Sequence, residues 1–197
     1  MTRRAPRLLL GFLFGLVLWA ALSRPYEPLL AGGAGLLLSA FESPDVTRLA
    51  AEGGGIRVER RDFPPRSPRP VLPAADLHFN FVLLVALFAL GPALPPAARL
   101  GRFLIALSLL FLIHAAALLF QVESVYATAL GPWSEAHYGA VARNFWAGGF
   151  HFYQIAGRFA APFVLWWALG RGEAEAESAA SAPGPPRRQQ KKKRKRS

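Results

Sequence analysis

The sequence predicts an all-α membrane protein: about four transmembrane helices carrying a small extracytoplasmic cap, itself an interfacial helix plus a short β-strand. Three observations lead there. Of the 197 residues, 53% are hydrophobic, and several apolar runs approach membrane-spanning length. The net charge of +11 is concentrated in three short segments. The chain has no cysteine, which excludes a disulfide framework, a thiolate metal site and a cysteine nucleophile.

Residues 1–7 form a basic cytoplasmic N-terminus with Arg3, Arg4 and Arg7. The first span, 8–22 (LLLGFLFGLVLWAAL), is short, with Arg7 and Arg24 placed to snorkel from its ends. A cleaved signal peptide is the alternative, although "AALSRP" is a poor cleavage region. Gly11 and Gly15 in this span have GxxxG spacing, which permits close helix contact within the monomer or between copies. Residues 23–76 make the cap. Within it, Pro28–Phe41 is too short to cross alone and reads as an interfacial or re-entrant helix, or as a helix packed on the outer ends of the spans. "EGGGIRVE" then gives a glycine turn followed by alternation, a short strand signal. "PPRSPRPVLP" reads as an extended connector.

The second span is 77–94, a cytoplasmic loop follows at 95–102 with Arg99 and Arg102, and the third span is 103–120. Residues 121–149 form a second outer loop, in which Trp133, Tyr138 and Trp146 suit an aromatic belt. The fourth span is 150–169, and 170–197 is a disordered polybasic tail. The three basic segments, 1–7, 95–102 and 170–197, carry +3, +2 and +6, the whole net charge. Four spans put all three on one side, which the positive-inside rule makes cytoplasmic. The long cap has seven arginines against seven acids, and long loops translocate largely regardless of charge. Both termini are therefore expected inside. In the tail, Lys191, Lys192, Lys193, Arg194, Lys195 and Arg196 point to anionic lipid headgroups rather than nucleic acid.

Polar residues inside apolar runs are the candidate site: His78, Asn80, His114, His151, Gln154 and Arg158. His78 and His151 open the second and fourth spans at the same predicted face. Arg158 lies about 12 Å into its span, a depth that requires a partner, a polar cavity, or a span that begins later. The three histidines lack HExxH spacing and paired carboxylates, so a polar cluster that orders helices is favoured over a metal site; no cofactor is expected. No GxSxG or Ser/His/Asp arrangement supports serine catalysis.

The order of these features resembles the exosortase group of bacterial membrane proteins. An early span leads to an outer segment like "PLLAGGAGLLLSAF", then to a glycine and strand like "GGGIRVE"; a later span opens on a polar motif, and another follows an arginine-flanked loop like "ARLGRF". Over roughly residues 8–169 the chain most resembles the small exosortase H-associated membrane proteins, which accompany a sorting enzyme without being one. The family's enzymes use Cys, Arg and His. Here "ADLHFNF" stands where their cysteine motif opens the second span, and "LIHAAALLF" offers His114 without an arginine. His151 occupies the place of the family's histidine. The resemblance implies a non-enzymatic accessory protein of the bacterial inner membrane whose partner is an exosortase-type enzyme or its substrate tail. The alternatives are a membrane enzyme with an outer-leaflet His/Arg site, and a small transporter or channel component.

Overall fold

A computed structural model describes residues 4–64, 66–67, 69–90 and 95–181. The described chain is mostly helical, with one small sheet: α1 (Arg4–Phe41), β1 (Thr47–Glu52), β2 (Gly55–Arg60), β3 (Val71–Pro73), α2 (Ala75–His78), α3 (Phe81–Ala89), α4 (Pro96–Thr128), α5 (Pro132–His137), α6 (Ala140–Phe152), a π-helical turn (Tyr153–Gly157) and α7 (Arg158–Ser181).

Among the described residues, two helices are long and apolar enough to cross a membrane, Ala5–Phe41 and Pro96–Thr128. The expected first span and interfacial helix are one helix of 38 residues that runs through Pro25 and Pro28. Both prolines lie on its exposed side, as do Ala21 and Arg24, whose carbonyls lose their usual donors. At 1.5 Å per residue α1 is about 57 Å long, nearly twice a hydrocarbon core of about 30 Å. No such core holds its whole length, and its C-terminal half carries the sheet through Leu30, Ala34 and Leu38. The 33 residues of α4 likewise overrun the expected span 103–120 at both ends.

The other two expected spans are not single long helices. The second is a helix pair, α2 and α3, joined by Phe79 and Asn80, which keep near-helical dihedrals. The fourth is α6 and α7 joined through the π-helical turn, and the helix begins ten residues earlier than expected. α7 continues to Ser181, past Gly170 where the sequence reads as tail. The headgroup-binding residues 191–196 lie outside the described residues.

The cap holds three antiparallel strands in the order β1–β2–β3 rather than one. Gly53 and Gly54 close the β1–β2 hairpin with φ of 59° and 87°, the left-handed pair of a tight two-residue turn. β3 lies in the proline-rich connector, and Leu72 is its buried residue. Ile56, Val58 and Leu72 pack with Leu30, Ala34 and Leu38 of α1 and with Leu118 and Val122 of α4. The outer core is thus shared by sheet and helices. A second cluster, Leu84, Ala106, Leu110 and Leu165, joins α3, α4 and α7. α1 meets α3 through Gly11 and Gly15: a Cβ on Gly11 would stand 2.5 Å from that of Ala89, and one on Gly15 would stand 3.0 Å from the Val82 carbonyl oxygen.

Candidate functional site

Four elements meet around Asn80, at the α2–α3 junction. Pro162 of α7 has no N–H, so the carbonyl of Arg158, four residues before it, lacks its helical donor. Asn80 Nδ2 donates to that carbonyl at 2.9 Å. A carbonyl only accepts, so this contact fixes the orientation of the Asn80 amide and makes Oδ1 an acceptor. His114 Nε2 lies 2.7 Å from Oδ1 and therefore carries the imidazole proton. His114 Nδ1 is then an acceptor, and the Tyr26 hydroxyl donates to it at 2.7 Å. Tyr153 completes the junction by donating to the Leu77 carbonyl at 2.6 Å. One orphaned carbonyl in α7 thus sets a relay through α3 and α4 to α1.

His78 stands beside this relay. Trp19 Nε1–H donates to its Nδ1 at 3.0 Å, which places the ring proton on Nε2. That nitrogen is buried and has no acceptor among the described residues. The His78 ring meets Tyr26 edge to face at 5.1 Å. His78 and His114 are thus joined through Tyr26 rather than directly.

A cavity of about 590 Å³ borders these groups, between α1, the α2–α3 pair and α4. Trp19, Tyr26, His78 and His114 line it, with Leu and Phe side chains making up most of the remaining wall. No acidic or basic residue lines it apart from the two histidines. Leu22, Leu29 and Leu112 in its lining are exposed, so it is reached from the outer flank of the α1–α4 pair.

Of the six sequence candidates, Asn80 and His114 bond directly, Arg158 joins through its backbone carbonyl, and His78 borders the relay. Gln154 Oε1 accepts from the Arg158 guanidinium at 3.4 Å. That guanidinium lies over the Phe159 ring at 4.7 Å and has no ion pair among the described residues. His151 is exposed on α6 and does not meet His78; its ring neighbour is Phe150. Residue-by-residue reading missed Trp19 and Tyr26, because an aromatic residue near a membrane interface is ordinary. No group of three or more His, Asp or Glu suited to a metal occurs among the described residues.

A second polar cluster fastens the cap. Arg60 makes two bonds to Asp62, at 3.0 and 2.8 Å, and lies 3.6 Å from Glu42. Its guanidinium sits 4.8 Å from the Tyr126 ring and 4.7 Å from the Trp133 ring. Burial works against this charge, but the hydrogen bonds and charge of Asp62, with Tyr126 and Glu42, outweigh it and hold the guanidinium above its ordinary range. The hydrogen bonds from Arg60 pull Asp62 below the usual aspartate range. Glu42 accepts from the Thr47 N–H at 2.9 Å and so ties the end of α1 to β1. Arg60, Asp62, Glu42, Thr47 and Tyr126 all have polar partners here, and the arrangement is that of a clasp.

No family model, curated protein or solved structure matches this chain.

Proposed function

We propose that this chain is an integral protein of the bacterial inner membrane, crossing it four times with both termini cytoplasmic, and that it serves as a non-enzymatic accessory to an exosortase-type protein-sorting system. In this reading the crossings are the N-terminal half of α1, the α2–α3 pair, α4, and α6–α7 through the π-helical turn. The charge distribution supports the orientation: the basic segments 1–7, 95–102 and 170–197 fall on one side. The polybasic tail then meets anionic headgroups.

The observation that carries the accessory reading is the content of the polar core. At the level where the resembling enzymes use a thiol, this chain has no cysteine anywhere and a relay whose members bond one another. Such a network orders helices and shapes a cavity without supplying a thiolate. The protein would present a substrate tail or steady the enzyme. Co-purification in mild detergent tests this reading: recovery of a sorting enzyme, with sorting impaired on deletion, is expected. Absence of the enzyme from every pull-down, with sorting unchanged on deletion, would remove it.

One observation favours a second reading, a membrane enzyme. Tyr26, His114 and Asn80 have the order of a nucleophile, a base and a group that orients the base, beside a cavity. Tyr26→Phe separates the readings, since an enzyme would lose its activity in cells while an accessory protein keeps its phenotype at equal protein level.

A further inference from the structure

The cavity between α1 and α4 has the composition of a ligand site rather than of a packing defect. Its volume of about 590 Å³ lies within the range typical of small-molecule pockets. No carboxylate, lysine or arginine lines it, which argues against an ion. Trp19, Tyr26, Phe81, Phe103 and Phe111 supply much of the wall, suited to a flat or unsaturated apolar body.

The polar groups of the lining narrow the ligand further. Ser23 and Ser108 donate to carbonyls of their own helices, those of Ala20 and Leu104. Both ring nitrogens of His114 are engaged, by Tyr26 and Asn80. The Trp19 N–H is engaged by His78. Among the described residues one donor of the lining is left: His78 Nε2–H, on a residue only 3% exposed. A buried donor without an acceptor carries a free-energy cost that a ligand oxygen would relieve.

We propose that this cavity binds a neutral, membrane-dissolved apolar molecule through a carbonyl oxygen that accepts the Nε2–H of His78. His78 Nε2 is itself covered, so for the oxygen to reach it the half-buried Tyr26 ring, edge-on to His78, would turn aside and give up its bond to His114 Nδ1. Two sources carry this chemistry in a membrane: a quinone, and the ester carbonyl of a phospholipid acyl chain. The inference rests on the membrane reading but not on the sorting partner, because binding is a property of the purified chain.

The test uses the full chain purified in mild detergent, with bound ligand counted by native mass spectrometry. The probes are decylubiquinone, a diacyl phosphatidylethanolamine and its dialkyl ether analogue, which lacks the carbonyls. One equivalent of decylubiquinone or of the diacyl lipid is expected, and whichever is retained identifies the source. The ether analogue should bind more weakly than the diacyl lipid. His78→Phe, which keeps an aromatic ring and removes the donor, should weaken binding roughly threefold to tenfold. His78→Gln, which restores an N–H, should recover part of that loss. Leu112→Trp, at an exposed lining position, should block the cavity while leaving the fold intact. Retention of neither carbonyl probe, or ether and diacyl lipids retained equally without quinone, would overturn the proposal. So would binding unaffected by His78→Phe and by Leu112→Trp. A partner missing from pull-downs alongside intact ligand binding would count against the sorting reading alone.

Discussion

Asn80 is the residue on which the core geometry turns, because its amide bonds both His114 and the Arg158 carbonyl. Asn80→Leu leaves the His114 N–H and that carbonyl unpaired together, and should cost about 2–3 kcal/mol of stability. Tyr26→Phe leaves only the His114 Nδ1 lone pair unpaired and should cost about 1 kcal/mol. Unfolding titrations in mixed micelles check both values, and the double variant should lose less than their sum, since one network is shared. At the cap, burial and then the hydrogen bond to Glu123 push the Tyr138 phenol above its ordinary value. Its proton is held more tightly in the folded state, so its contribution to stability is full below a pH of about 10, the ordinary tyrosine value, and falls as pH rises beyond it. Tyr138→Phe should therefore flatten the alkaline decline in melting temperature. His78, Asn80, His114 and Arg158 were legible in the sequence because each interrupts an apolar run. Their partners were not: whether Tyr26 or His151 faces His114 depends on how each helix is rotated, which residue spacing alone leaves open.

At the scale of elements, glycine and proline decide where helices touch. Gly11 and Gly15 lie against α3, so Gly15→Ala should destabilise by about 1–3 kcal/mol through overpacking against the Val82 backbone. Gly32 and Gly35 of the same helix meet nothing within 4 Å, and alanine there should stabilise by about 0.5–1 kcal/mol. Thermal unfolding of the three single variants reads this contrast. Pro162 acts through the carbonyl that it orphans. Pro162→Ala supplies Arg158 with a helical donor, so the cost of Asn80→Leu should shrink in that background, a double-mutant comparison with a definite sign. The sequence shows the GxxxG spacing but not which helix it meets. It also reads a span ending at 22 and a separate helix from Pro28, where α1 runs on through Pro25 and Pro28, because tertiary packing overrides a local propensity. β1 escaped notice because "TRLAAE" alternates weakly and carries two alanines; its pairing with β2 is a tertiary effect.

For the whole molecule, charge placement and helix length bear on one claim, that the chain crosses the membrane four times. Helix length makes α1 and α4 spanning candidates, while α2–α3 and α6–α7 qualify only as jointed pairs, which is why the expected spans 77–94 and 150–169 do not map onto single helices. The outer core joins α1, the sheet and α4, so cap and bundle should unfold together in one transition. Because the chain contains no cysteine, single introduced cysteines report sidedness without background labelling. Ser67 and Ala136 are suitable outer positions, whereas Ser134 is buried, with its hydroxyl donating to the Tyr126 carbonyl at 2.6 Å. The most direct test treats intact cells with a membrane-impermeant maleimide. Ser67→Cys and Ala136→Cys should label from outside, and Ser181→Cys only after permeabilisation. Labelling of Ser181→Cys in intact cells, or protection of Ser67→Cys, would contradict the four-crossing topology.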